Sequence, residues 1–253
     1  MPALVDTLHH GDIAELRLAR PPVNALDPSL CAALVDAIRG AVDTGAQGLI
    51  LSGGSKVFSA GLDVPYLLSL GEDREALRAA WRGFFEAAQA LAQSPVPVVA
   101  AINGHAPAGG CVLALCCDYR IMAEGAFTIG LNETQVGLVA PDGIQHLLAR
   151  VVGRHRAERL LVAGEMVASG RALQLGLVDE LADPQQVQPR ALAWLQALLQ
   201  LPRRPMLKTR AIARADLIAA LAPSRIDIDQ FIADWQDPDT QQALRALLAK
   251  LGK

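Results

Sequence analysis

The sequence holds no uninterrupted apolar run long enough to cross a bilayer, because Asn, His, Pro or Gly breaks every candidate, whereas a spanning helix needs about 20 apolar residues. Its opening segment, MPALVDTLHHGD, lacks the basic stretch followed by an apolar one that marks a secretory signal. These absences predict a soluble chain, off the membrane and without a cleaved leader. Missing too is any run of Lys or Arg interleaved with aromatics, and the formal net charge is −3, which excludes nucleic acid as the main ligand. An anionic small molecule needs only a local patch and stays open. The four cysteines, Cys31, Cys111, Cys116 and Cys117, form neither a C-x-x-C pair nor a regular framework. They predict buried free thiols and a cytoplasmic protein.

Several familiar site motifs are absent as well. The GGSK run has no G-K-[ST] ending, and GHAPAGG lacks the dinucleotide G-x-G-x-x-G spacing. His9, His10, His105, His146 and His155 show no H-E-x-x-H or paired Cys/His spacing, so no metal site is expected. Ser59 lies outside any G-x-S-x-G elbow. Lys56, Lys208 and Lys250 are candidates to neutralise phosphates, or simply solvated lysines.

What is present is apolar and alternating. With 253 residues, 52% of them hydrophobic, the chain can bury a substantial core in one large domain or a domain plus an appendage. Residues 3–8 and 12–19 read as a hairpin around His10-Gly11-Asp12. Asp27 with Pro28 starts a helix whose stripe is Leu30, Leu34, Ala37, Ile38 and Ala41. The strand GLILSG, a helix from about Asp73 to Ala92, the strand PVPVVAAIN and the helix CVLALCC follow, which predicts an α/β layered fold with loops gathered at one end of the strands. Past residue 142 the pattern is helical, and the amphipathic tail predicts a core over residues 1–190 and a helical region over 191–253 packed on it or on another subunit. The apolar residues Phe231, Ile232 and Trp235 in that tail predict self-association.

Two glycine-bearing loops and one carboxylate carry the functional signal. In NGHAPAGGCVLALCCD, Gly109 and Gly110 stand where a loop becomes a helix, so their N–H groups have no intrahelical partner and favour negative charge. FSAGLD offers a second free N–H near Leu62, and two converging N–H groups would make an oxyanion hole; each cluster is also explained by a turn alone. Asp63 reads as a helix cap. In IGLNETQVGLVAP, Glu133 is the only charged residue; it is either a loop carboxylate facing water or a base whose apolar surroundings raise its pKa.

FSAGLD, NGHAPAGGCVLALCCDYRI and IGLNETQVGLVAP resemble, in order and approximate spacing, the signature segments of the crotonase, or enoyl-CoA hydratase/isomerase, superfamily. PAGGC, CDYRI and GLNETQ bring the sequence nearest the mitochondrial-type 3,2-trans-enoyl-CoA isomerases, and the resemblance extends over the whole chain. It implies a crotonase-like spiral of repeated β-β-α units with a helical C-terminal trimerisation region, as a homotrimer or dimer of trimers. It also implies an acyl-CoA substrate of fatty acid β-oxidation, with coenzyme A as part of the substrate and no separate cofactor. Matched residue by residue, it puts Glu133 at the catalytic carboxylate and Leu62 and Gly109 at the oxyanion-hole N–H positions. Ala60, Gly61, Leu62, Asp63 and Val64 fall at the acyl-CoA entrance, with Gly110 and Asn132 beside the thioester. Val112 stands where a hydratase carries a second glutamate, which favours the isomerase branch. A hydratase or thioester hydrolase would need another base, for which His105 and Asp142 are the candidates; a non-catalytic acyl-CoA binding protein would keep the loops without needing Glu133. PDGIQHLL, after Pro141, departs from the family pattern and leaves the acyl-pocket wall open.

Overall fold

The computed structural model describes residues 2–250. The chain opens with β1 (Val5–His10) and β2 (Ile13–Leu18), the antiparallel hairpin the alternation predicts. Asp27 then caps α1 (Pro28–Asp43) by accepting from Leu30 N at 2.8 Å, with Pro28 where its missing N–H costs nothing. The stripe Leu30, Leu34, Ile38 and Ala41 is buried on the sheet side, and β3 (Gly48–Ser52) pairs parallel to β2. Next come α2 (Val64–Ser69), α3 (Arg74–Ala92) and β4 (Val98–Ile102), parallel to β3. Both β3 and β4 are buried at every position, as a strand covered on both faces must be.

From β4 onward each turn of the chain contributes to two sheets. β4 is followed by β5 (Ala106–Pro107) and α4 (Gly109–Leu115); β6 (Tyr119–Ala123) is followed by β7 (Thr128–Gly130), α5 (Asp142–Val152) and α6 (Arg154–Ala163). Then β8 (Val167–Ala168) and α7 (Ser169–Leu175) lead to β9 (Glu180–Ala182). The large sheet has the order β1-β2-β3-β4-β6-β9 and the small one β5-β7-β8. Strand, strand, helix is the repeat of the expected spiral. Pairing of Ala106 with Ile129 and Pro107 with Gly130 brings the glycine turn before α4 beside the segment that carries Glu133.

The helical tail comprises α8 (Val187–Leu199), α9 (Arg203–Ala213), α10 (Ala215–Ala220), α11 (Ile228–Gln236) and α12 (Pro238–Lys250). Val187, Ala191 and Leu195 of α8 pack on Ile13, Ile50, Val99 and Ile121 of the large sheet, so the expected boundary at residue 190 falls inside α8. Residue Arg214, between α9 and α10, turns inward with Arg210 onto Asp118, at 2.8–3.0 Å. Phe231, Ile232 and Trp235 of α11 are 6%, 0% and 1% exposed against Trp81 of α3. This corrects the sequence expectation: their apolar stripe is covered within the chain and is not a surface for self-association. None of the described helices is long and apolar enough to cross a membrane.

Candidate active site

The FSAGLD loop is stitched to residues 20–26 by an almost complete set of hydrogen bonds. Ala60 N donates to Val23 O, Asp63 N to Leu26 O and Gly61 N to Ser59 Oγ, while Gly61 O accepts from Leu26 N at 2.7 Å. Arg20 reaches across to Asp63 at 2.7 Å and Asp27 at 3.1 Å. Among the described residues the Leu62 N–H has no acceptor. Leu62 is half-buried on a cavity wall, where a donor without a partner is costly and invites an external acceptor.

Opposite this loop, Ala108 is held at φ 45, ψ −118, a conformation that strains any residue with a Cβ. Its N–H donates to Gly130 O at 2.8 Å, and the Gly109 N–H also lacks an acceptor among the described residues. The two loops touch. Gly61 sits at φ 80, where a Cβ would stand 3.0 Å from Gly109 N, and a Cβ on Gly109 would stand 3.3 Å from Gly61 Cα. Both glycines are required by close approach.

Glu133 is the first residue of a 3-10 turn, Glu133–Val136, closed by Gly137 at φ 79. Its Oε2 is buried without a hydrogen-bond partner among the described residues, and so is Asn132 Oδ1. Burial pushes the Glu133 carboxyl up from about 4.5 to about 7, against a smaller opposing pull from its own backbone N–H. The carboxylate is therefore not a loop group facing water, the first of the two sequence readings.

These groups meet on one cavity of about 330 Å³. Ala60, Leu62, Gly109, Val112, Asn132 and Glu133 line its polar end; Trp81, Phe84, Phe85, Leu138, Ile144, Phe231 and Trp235 line the apolar remainder. Val64 and Pro141 are also in the wall, so the segment after Pro141 that departs from the family pattern does contribute to the pocket. Glu133 is the only ionisable side chain among the lining residues described.

Three matched residues lie elsewhere, and each has a physical reason. Asp63 caps α2 by accepting from Tyr66 N and pairs with Arg20, so it supports the loop from behind. Gly61 turns the chain toward Gly109 without lining the cavity, and Gly110 packs on Ser59, whose carbonyl a Cβ would approach to 2.4 Å. Neither alternative base is in the cavity. His105 Nδ1 accepts from Thr128 N at 3.1 Å, and the Asp142 side chain is 73% exposed, 3.6 Å from Arg225. Lys56 and Lys208 are exposed, and the Lys250 side chain is outside the described residues. Burial pushes the Cys31 and Cys116 thiols up to about 12, which leaves them unreactive near neutral pH. No group of three His, Cys, Asp or Glu side chains suited to a metal occurs among the described residues.

Sequence reasoning missed the aromatic wall. Five of the chain's ten aromatic residues line this cavity, and Trp81, Phe84 and Phe85, at one face of a single helix, were the signal that a large apolar site needed covering. Trp81 stands edge-on to Phe231 at 4.3 Å and to Trp235 at 5.9 Å.

A spiral α/β fold with two free backbone N–H groups and one buried carboxylate on an apolar cavity defines a protein of the crotonase class. The enoyl-CoA hydratase/isomerase family model matches residues 9–250, and the chain belongs to that family. It is 34% identical over 252 residues to the mitochondrial enoyl-CoA delta isomerase 1 of Homo sapiens, covering 98% of this chain and 83% of that one. It is 35% identical over 226 residues to a probable enoyl-CoA hydratase of Mycobacterium avium, covering 85% and 86%. The crystal structure of the human mitochondrial delta3-delta2-enoyl-CoA isomerase superposes with a TM-score of 0.92 at 32% identity, covering 98% of both chains.

Proposed function

We propose that the protein is an enoyl-CoA isomerase that moves the double bond of a 3-enoyl-CoA thioester from C3 to C2. The observation that carries this reading is that Glu133 is the single ionisable group described on the cavity, with Val112 in the wall at the position where the resemblance implies a hydratase would carry its second glutamate. The thioester carbonyl accepts from Leu62 N–H and Gly109 N–H. Anionic Glu133 takes a proton from C2, the C2–H electron pair passes into the C1–C2 bond, and the resulting enolate oxygen is held by the same two donors, worth roughly 10²–10³ in rate each. The protonated carboxyl then returns that proton to C4 as the C2=C3 double bond forms. One carboxyl serves both transfers, and a pKa of about 7 leaves it able to accept and to give the proton near neutrality. Coenzyme A is part of the substrate, and no further cofactor enters.

β-Oxidation, a cytoplasmic location and a homotrimer or dimer of trimers belong to the same proposal. Support for the location is the set of four free, buried cysteines; self-association would have to use a face other than that of Phe231 and Trp235.

The test is a comparison of matched 3-enoyl- and 2-enoyl-CoA substrates. Isomerisation should exceed hydration by ~10²-fold or more, the size of one missing general acid–base partner. Comparable rates would instead favour the hydratase reading that the mycobacterial relative's name suggests. Binding without turnover of either would leave an acyl-CoA binding protein.

A further inference from the structure

The segment that carries Glu133 is braced at both ends by helices far away in sequence. On one side Thr134 Oγ1 donates to Leu161 O at 3.2 Å, and Gly164, which ends α6 at φ 58, approaches so closely that a Cβ there would stand 2.6 Å from Thr134 Oγ1. On the other side α12 comes down on Gly137. Thr240, 5% exposed, donates from Oγ1 to Gly137 O at 2.7 Å, and a Cβ on Gly137 would stand 3.0 Å from Thr240 Cα. Thr240 is itself held, because Asp237 Oδ1 accepts from Asp239 N at 2.9 Å and Thr240 N at 3.4 Å at the start of α12.

The peptide that Thr240 grips is the one that closes the turn. Gly137 C=O and Leu138 N–H belong to a single rigid plane, and Leu138 N donates to the Glu133 carbonyl at 2.9 Å. Tilting that plane at its oxygen therefore tilts the donor that holds the backbone of Glu133. We propose that Thr240 is a positioning residue for Glu133, its hydroxyl fixing the Gly137–Leu138 peptide and through it the direction in which the carboxyl enters the cavity. This rests on the isomerase reading for its kinetic consequence, though not for its geometry.

The full-length protein and its Thr240→Val and Thr240→Ser variants decide the matter, with Thr240→Ala as a second hydroxyl-free variant should the valine protein not fold. Measured are kcat and KM on a 3-enoyl-CoA, the melting temperature, and the titration of the Glu133 carboxyl by ¹³C NMR, assigned with Glu133→Gln. Loss of the hydroxyl should lower kcat by about 10- to 10²-fold with KM within about twofold, the penalty of a misplaced reacting group. The Glu133 titration should move down toward the ordinary carboxylate range as the tilted side chain gains water. Serine, which keeps the donor, should restore both. Wild-type kcat and titration in the hydroxyl-free variants overturn the proposal. So does an equal loss in the serine and hydroxyl-free variants that follows the melting temperature, since that is a packing role. A wild type inactive on every 3-enoyl-CoA would sink the isomerase reading instead, and the titration shift would then decide the positioning of Glu133 by itself.

Discussion

Glu133 is an acid kept away from water, and its raised pKa links activity to stability with opposite signs. On the proposed mechanism the anion is the active form, so kcat/KM on a 3-enoyl-CoA should rise with pH through about 7, and Glu133→Gln should lose at least ~10²-fold in kcat while still binding substrate. Stability runs the other way. Between about 4.5 and 7 the folded protein holds a proton that the unfolded chain has released, so Glu133 destabilises the fold progressively as pH rises through that window. Glu133→Gln should accordingly be more stable than the wild type at pH 8, by about 3 kcal/mol at most, and the difference should vanish by pH 4; denaturant titrations at both pH values measure it. A second residue tests the oxyanion donors. Gly61→Ala places a methyl group 3.0 Å from Gly109 N and strains the backbone at φ 80. Turnover should fall by ~10²-fold, the loss of one such donor, and near-normal kcat in a folded variant would show that the Gly109 N–H does not face the reacting oxygen.

At the scale of elements, what the sequence made legible follows from periodicity and capping. Asp27, Asp63 and Asp73 announce α1, α2 and α3, and each accepts from the N–H three residues on. The buried strands β3 and β4 were visible as apolar runs bounded by turns. The short strands β7, β8 and β9 were not, because two or three residues carry no period and their pairing is set by β5, β7 and β6 respectively, distant in sequence. Leu62, Gly109 and Glu133, singled out in the sequence, do line the cavity, whereas Gly61, Asp63 and Gly110 stand behind it: only the fold tells a residue that supports a loop from one that faces a cavity. The stretch MLKTRAIARADLIAAL, amphipathic in sequence, is two helices because Arg214 breaks inward. Asp118 there accepts from Arg210, Arg214 and Val98 N at 2.8–3.0 Å, nearly out of solvent. Removing one partner of such a cluster leaves charge uncompensated. Asp118→Ala should cost about 3 kcal/mol or more in denaturant unfolding, with Glu133 chemistry in the folded fraction unchanged. A cost below about 1 kcal/mol would make the cluster a solvated one.

For the molecule as a whole, the correction at α11 changes what assembly can be for. Phe231 and Trp235 were expected to face another subunit; instead they line a cavity of their own chain, while α12 behind them grips the turn that carries Glu133. On the proposed mechanism, the Glu133 base, the Leu62 and Gly109 donors and the aromatic wall therefore all come from one chain. Isomerisation of a 3-enoyl-CoA should then have a constant specific activity per chain as the protein is diluted, even across a range where sedimentation shows the assembly changing. Exposed apolar side chains do remain, Ile212 at 70% and Val162 at 76%, and they are where a subunit contact would gain by burial. Ile212→Glu should weaken any assembly that uses α9 and leave kcat within about twofold, since a charge desolvated at an interface is costly and the cavity is remote from it. A kcat that collapses together with the assembly would mean that a neighbouring chain completes the site, and the single-protomer account of catalysis would have to be given up.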